Sequence, residues 1–163
     1  MLLASRGLLV RPDGVALGVP VMAIAALDLG ARRIGIAISD AVSLSAYPLC
    51  TIARRSTNAD VAAIQRALCS RVIECLVVGL PVNMNGSEGP MARHARNFGA
   101  RIADAMKIPV KFQDERLSSF EAEHRLATAE VRRSAKKAAI DANAAAIILE
   151  DWLIVNRAPP CKI

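Results

Sequence analysis

The sequence predicts an α/β fold, a mixed five-stranded sheet with helices on both faces. Three observations predict it. Short apolar runs alternate with longer stretches of helical periodicity along the chain. The first two runs lie so close together that they must pair as a hairpin, whereas the later ones are separated by helices and must pair in parallel. Aromatic residues make up only 3% of the chain, so the core is built from Ala, Val, Ile and Leu, as suits helices packed on a buried sheet. The length, 163 residues, suits one domain.

Residues 1–22 read as a leader outside that domain, either a disordered tail or a stretch upstream of a start at Met22. Arg6, Arg11 and Asp13 interrupt its apolar character, so it lacks the unbroken centre of a signal peptide. The domain spans 23–157, and 158–163 form a tail. Residues 24–28 are a first strand ending in Asp28. Gly30 suits a turn position with unusual backbone angles, and 33–39 return as a second strand, antiparallel to the first. Gly35 inside that strand signals a bend or something packed closely above it.

Residues 49–52 are a third strand. Thr57 is the expected cap of a helix over about 58–73, with Asp60 near its exposed amides and Val61, Ile64, Leu68 and Val72 on its apolar face. Residues 75–80 form a continuous apolar run ended by Pro81, the mark of a central strand. Residues 81–89 are a polar loop. A helix over about 90–106 follows, with Ala95, Phe98, Ile102 and Met106 on one side, then a fifth strand at 110–113. Ser118 and Glu121 form a capping-box pattern for a helix to about 127. Residues 128–137 read as a polar, basic loop, and the last helix covers about 140–155, its buried side marked by Ala144, Ile147, Ile148 and Trp152.

Composition narrows the function. The net charge of +6 would help a polyanion approach without identifying one. Cys50, Cys69, Cys75 and Cys161 show no Cys-x-x-Cys spacing, so they read as incidental thiols rather than a zinc site or disulfide framework. His94 and His124 have no partner histidine and read as surface residues. No apolar run reaches membrane-spanning length.

Acidic residues stand where chemistry usually sits. Asp28 ends the first strand, Asp114 and Glu115 follow the fifth, and Asp141 opens the last helix. Ends of separate strands converge at the rim of a sheet. Carboxylates that meet there repel one another, and Mg2+ or Mn2+ resolves the conflict because both prefer hard oxygen ligands. Two such ions about 4 Å apart can activate a water and stabilise the departing oxygen of a phosphodiester. The expected catalytic set is Asp28, Asp114, Glu115 and Asp141. The expected metal ligands are Asp28, Asp141 and Glu115, preferred over Asp114 because alternation sends the two to opposite faces and the longer side chain can reach back. Expected nucleic-acid contacts are Arg32 and Arg33 in the hairpin turn, Asn83 and Asn85 in the polar loop, Arg116 after the fifth strand, and Arg132, Arg133, Lys136 and Lys137 in the basic loop. Asn83 and Asn85 serve equally well as turn supports, Arg116 equally well in an internal salt bridge, and the basic loop equally well as a solvated surface.

These passages resemble a known family. LDLGARRIGIAISD at 27–40, PLCTIAR at 48–54, VVGLPVNMNGSEG at 77–89, DERLSS at 114–119 and DANAAAIILEDWL at 141–153 are similar to the YqgF/RuvX-like Holliday junction resolvases. These are also described as pre-16S ribosomal RNA nucleases of the ribonuclease H-like fold. The likeness covers roughly 24–155. It departs slightly where Ser118 and Ser119 replace common threonines and Asn85 replaces a frequent aspartate. The resemblance implies a ribonuclease H-like sheet, cleavage assisted by magnesium or manganese, and a site of Asp28, a carboxylate of the Asp114–Glu115 pair, and Asp141. It implies a cytoplasmic protein that matures the 5′ end of precursor 16S ribosomal RNA, with ribosomal particles as further partners. Resolution of branched DNA is the alternative, and a nucleic-acid-binding, ribosome-associated factor with little catalysis a third. A resolvase should act as a dimer, but nothing in the sequence forces dimerisation, so a monomer or weak dimer is expected. A phosphotransferase of the actin-like kind would need duplicated halves around a nucleotide cleft, and one half is visible here.

Overall fold

The computed structural model describes residues 22–40, 43, 45–115 and 133–156, with the backbone alone for 133–140. Its elements are β1 (Met22–Leu29), β2 (Arg33–Ser39), β3 (Ala46–Ala53), α1 (Thr57–Leu68), β4 (Val72–Leu80), α2 (Pro90–Met106), β5 (Val110–Asp114) and α3 (Arg133–Asn156). The five strands form one sheet in the order β3-β2-β1-β4-β5. β1 pairs antiparallel with β2, and β2 with β3, while β1–β4 and β4–β5 are parallel. The mixed sheet is therefore the one the spacing of the strands predicts.

Strand alternation sorts the core into two layers. Ala25 and Leu27 of β1, Ile34 and Ile36 of β2, and Leu76 and Val78 of β4 pack with Val61, Ile64 and Leu68 of α1 and with Phe98 and Ile102 of α2. The intervening residues Ile24, Ala26, Ala37, Cys75 and Val77 pack with Ala145, Ile148, Leu149 and Leu153 of α3. β1 and β4 are buried on both faces, which is why their sequences are almost wholly apolar. The ladder slips between Ala23 and Ile24, and there the buried Ser39 hydroxyl accepts the Ile24 N–H at 2.9 Å.

Several boundaries differ from the sequence reading. Ser56, not Thr57, caps α1: it is extended, and its hydroxyl accepts the Ala59 N–H at 3.3 Å. α1 ends at Leu68 rather than near 73, because Val72 pairs with Met22 and opens β4. Its spacing from Leu68 imitated another helical turn, and sheet pairing overrode it. Gly30 does not take a positive φ. A Cβ there would lie 3.0 Å from the Arg33 carbonyl oxygen, so space rather than torsion favours glycine. α2 opens with Pro90 in its first turn and closes on Lys107, in the left-handed region at φ 55°. Residues 133–137 belong to α3, not to a loop; Ala and Lys are good helix formers and the polar composition misled. Along α3, Ile147 and Ile148 are buried as expected, whereas Ala144 and Trp152 are only partly so. The expected helix over 118–127, with its Ser118 cap, lies outside the described residues.

Candidate active site

β1, β4 and β5 all end at the same rim of the sheet. Asp28 continues the series Ile24 and Ala26, so it faces α3. Its cross-strand partner on β2 is Gly35. On the other side Leu27 pairs with Val78, which brings Gly79 beside Asp28 one step further along. A glycine thus flanks the carboxylate on each neighbouring strand.

Each glycine is filled by something the site needs. A Cβ on Gly35 would collide with the Asp141 carbonyl oxygen and come within 3.1 Å of the Ala142 nitrogen. The α3 backbone therefore lies directly on β2 at this point, bringing Asp141 to the rim. Asp141 is not at the helix start, as the sequence suggested, but in the third turn of α3. A Cβ on Gly79 would collide with the Glu115 carboxylate and lie 2.9 Å from Ile148 Cδ1. The Glu115 side chain thus folds back over Gly79, beneath α3. Its N–H reaches the Leu80 carbonyl at 3.3 Å, which fixes the chain just after β5. Phe112, in the same alternating series as Asp114, packs toward Gly99 of α2, and Asp114 is exposed. Of the adjacent pair, Glu115 shares the face of Asp28. The residue that the sequence reading missed is Gly79. Its signal was a glycine inside an apolar central strand.

The electrostatics follow from this crowding. Burial, then the charge of Asp141, pushes the Asp28 carboxyl up from 3.8 to about 6. Burial, then the charges of Asp28 and Asp114, pushes Glu115 up from 4.5 to about 7. Arg33 approaches Asp141, with Nη1 3.8 Å from Oδ2. Both atoms are buried and have no hydrogen-bond partner among the described residues. A hard divalent cation suits this set: oxygen donors, like charges held close enough to disturb one another, and an orphaned buried carboxylate oxygen. The gathering is incomplete, because among the described residues no three His, Cys, Asp or Glu side chains already form a metal cluster. Side-chain movement of Asp28, Glu115 and Asp141 would be needed to hold an ion.

The other expected contacts scatter. Arg32 is exposed on the hairpin turn and Arg33 is half-buried. Asn83 and Asn85 are exposed but engaged in their own turn: Asn83 Nδ2 donates to Ser87 Oγ at 2.9 Å, and Asn85 Oδ1 accepts the Ser87 N–H at 3.0 Å. Arg133, Lys136 and Lys137 lie in the first turns of α3, while Arg116 and Arg132 lie outside the described residues.

A brace beneath the hairpin was not foreseen. Arg54, after β3, donates to the Gly30 carbonyl at 3.1 Å, meets His94 Nε2 at 2.8 Å and pairs with the buried Asp60 at 3.4 Å. Asp60 also accepts the Arg55 N–H at 2.9 Å. Arg54 therefore ties the turn after Asp28 to both α1 and α2. His94 is part of this brace rather than a plain surface residue, and Asp60 stands in the first turn of α1, as expected, but is also a buried partner of Arg54. Cys50, Cys69 and Cys75 are free thiols, and among the described residues no helix is long and apolar enough to cross a membrane.

Comparisons with known proteins identify the family and the fold. Residues 22–154 match the profile of the RuvX family, described as Holliday junction resolvase. A protein of Synechococcus elongatus, provisionally named a pre-16S rRNA nuclease, is 43% identical over 140 residues, covering 86% of this chain and 94% of that protein. One of Anaeromyxobacter dehalogenans with the same name is 46% identical over 133 residues, covering 82% and 96%. Among solved structures, T. thermophilus RuvC in complex with a Holliday junction substrate superposes with a TM-score of 0.52 at 15% identity, covering 82% of this chain and 94% of that one. That likeness shows a shared, ribonuclease H-like fold.

Proposed function

The chain belongs to the RuvX family, and from that premise we propose that it is a divalent-metal-dependent endonuclease acting on structured RNA, at the 5′ end of precursor 16S ribosomal RNA in the cytoplasm. The observation that carries the reading is the convergence of Asp28, Glu115 and Asp141. They come from β1, the end of β5 and α3, they share one face of the rim, and two of them are driven toward protonation, Asp28 by burial and then the charge of Asp141, Glu115 by burial and then the charges of Asp28 and Asp114. A divalent cation bound among them would relieve that repulsion.

In this reading Asp28, Glu115 and Asp141 are the ligands, and Mg2+ or Mn2+ bound there would polarise the phosphodiester and acidify a water. Asp28 and Glu115 must release their protons to serve, so loading improves as pH rises past the values at which they are half-protonated. Asp114, exposed beside Glu115, adds negative charge without facing Asp28. Arg32 on the turn, Arg116 after β5, Arg132 just before α3, and Arg133, Lys136 and Lys137 in its first turns would hold the sugar-phosphate backbone without reading sequence. Asn83 and Asn85 contribute by shaping the loop.

The same chemistry on four-way DNA is the second reading, favoured by the description of the matching family. One panel separates the two. Precursor 16S RNA and a four-way DNA junction are incubated with the wild type and with Asp28→Asn, in Mg2+, in Mn2+ and in EDTA. The proposal expects metal-dependent cleavage of the RNA that is lost in the variant. Preferential cleavage of the junction would transfer the activity to DNA. Equal cleavage by both proteins, or cleavage in EDTA, would remove the site from the chemistry.

A further inference from the structure

Arg33 and Asp141 share a contact that neither completes. The 3.8 Å between Nη1 and Oδ2 is too long for a hydrogen bond, and both buried atoms have no other among the described residues. By contrast, the exposed pair of Arg96 and Glu88 closes fully, with Arg96 Nε reaching the two Glu88 carboxylate oxygens at 2.9 and 2.8 Å. An arginine left short of its carboxylate keeps the desolvation cost of both groups and forgoes the charge-assisted hydrogen bond that would offset it. Each group would gain from a different partner: a divalent cation for the carboxylate, a phosphate oxygen for the guanidinium. The backbone around them cannot rearrange cheaply, because α3 rests on Gly35 at Asp141 itself. Any exchange of partners must be made by the side chains.

We propose that Arg33 is the resident countercharge of Asp141 in the metal-free site, that a divalent cation displaces it, and that the released guanidinium then takes a phosphate oxygen of the nucleic acid. This rests on the metal-dependent reading given above. Arg33 and the cation compete for one carboxylate, so the arginine weakens cation binding by the free protein. Substrate that captures Arg33 removes the competitor, so metal and nucleic acid strengthen each other's binding reciprocally.

The test is Mn2+ titration by calorimetry in the absence of nucleic acid, which does not depend on cleavage. Arg33→Gln is expected to bind Mn2+ more tightly, on the order of tenfold, because one nearby, partly screened positive charge is gone. Arg33→Lys keeps the charge and is expected to stay close to the wild type. In an Asp141→Asn background the gain from Arg33→Gln should disappear, since there is no shared carboxylate left to contest. Should Arg33→Gln fail to fold by circular dichroism, Arg33→Met replaces it. Mn2+ affinity that is unchanged or weaker in the neutral variant overturns the displacement while leaving the metal site intact. A gain that persists in Asp141→Asn also overturns it, by showing a general charge effect. No Mn2+ uptake by any of these proteins overturns the metal reading itself, and the displacement with it.

Discussion

Asp28→Asn should stabilise the metal-free protein above neutral pH while destroying its function. The Asp28 carboxyl is raised from 3.8 to about 6 in the folded chain. Between those values the native state binds more protons than the unfolded state, so stability falls as pH rises. The contribution is whole below about pH 4 and lost once pH passes 6. At about 1.36 kcal/mol per pH unit, the loss amounts to about 3 kcal/mol by pH 8, as an upper bound because Asp28 retains some solvent contact. Glu115, raised to about 7, acts in the same direction, but part of its rise comes from Asp28, so the two titrate together and do not add. An asparagine keeps the shape and cannot ionise. In urea melts with EDTA, the variant is expected to match the wild type below about pH 4 and to exceed it by about 1–3 kcal/mol at pH 8. Adding Mn2+ should raise the wild type more than the variant by mass action. A wild type whose metal-free stability is flat from pH 5 to 8, or a variant no more stable at pH 8, would refute the claim that buried, mutually repelling carboxylates form this site.

Three further outcomes follow from the same geometry. Glu115→Gln should reduce hydrolysis at least about a hundredfold and Asp114→Asn only a few-fold, since one carboxyl faces Asp28 and the other is exposed; equal losses in a cleavage assay would reject the assignment. Gly79→Ala should displace the Glu115 carboxylate, weakening Mn2+ binding in calorimetry while a thermal melt shows little change; Gly35→Ala presses on helix backbone instead and should cost about 1–3 kcal/mol in the same melt. Arg54→Met leaves Asp60 buried without its guanidinium and frees the Gly30 turn, so denaturant melts should show a loss of about 3–5 kcal/mol; a loss below about 1 kcal/mol would show that the brace is incidental.

Local pattern carried much of this protein. The hairpin of β1 and β2, the double burial of β1 and β4, the apolar stripe of α2 and the parallel pairing across α1 and α2 all follow from periodicity and spacing. So does the presence of Asp28 and the Asp114–Glu115 pair at strand ends. Where pattern failed, a distant partner intervened. Val72 kept helical spacing with Leu68 but paired with Met22. Residues 133–137 looked like a basic loop yet continue the helix that covers the sheet.

The meeting of the carboxylates was a tertiary decision. Nothing near Asp141 in the chain says that its backbone will rest on Gly35, and nothing near Glu115 says that its side chain will lie over Gly79. Nor does the segment around Arg54 announce that it will brace the turn beside Asp28. The sequence determined which residues can ionise, which strands they end and which face each strand turns inward, because those depend on neighbours along the chain. Only packing decided how closely the helix approaches the sheet, and so which charges interact, because that distance is set by whichever residues from remote segments lack a side chain where they touch.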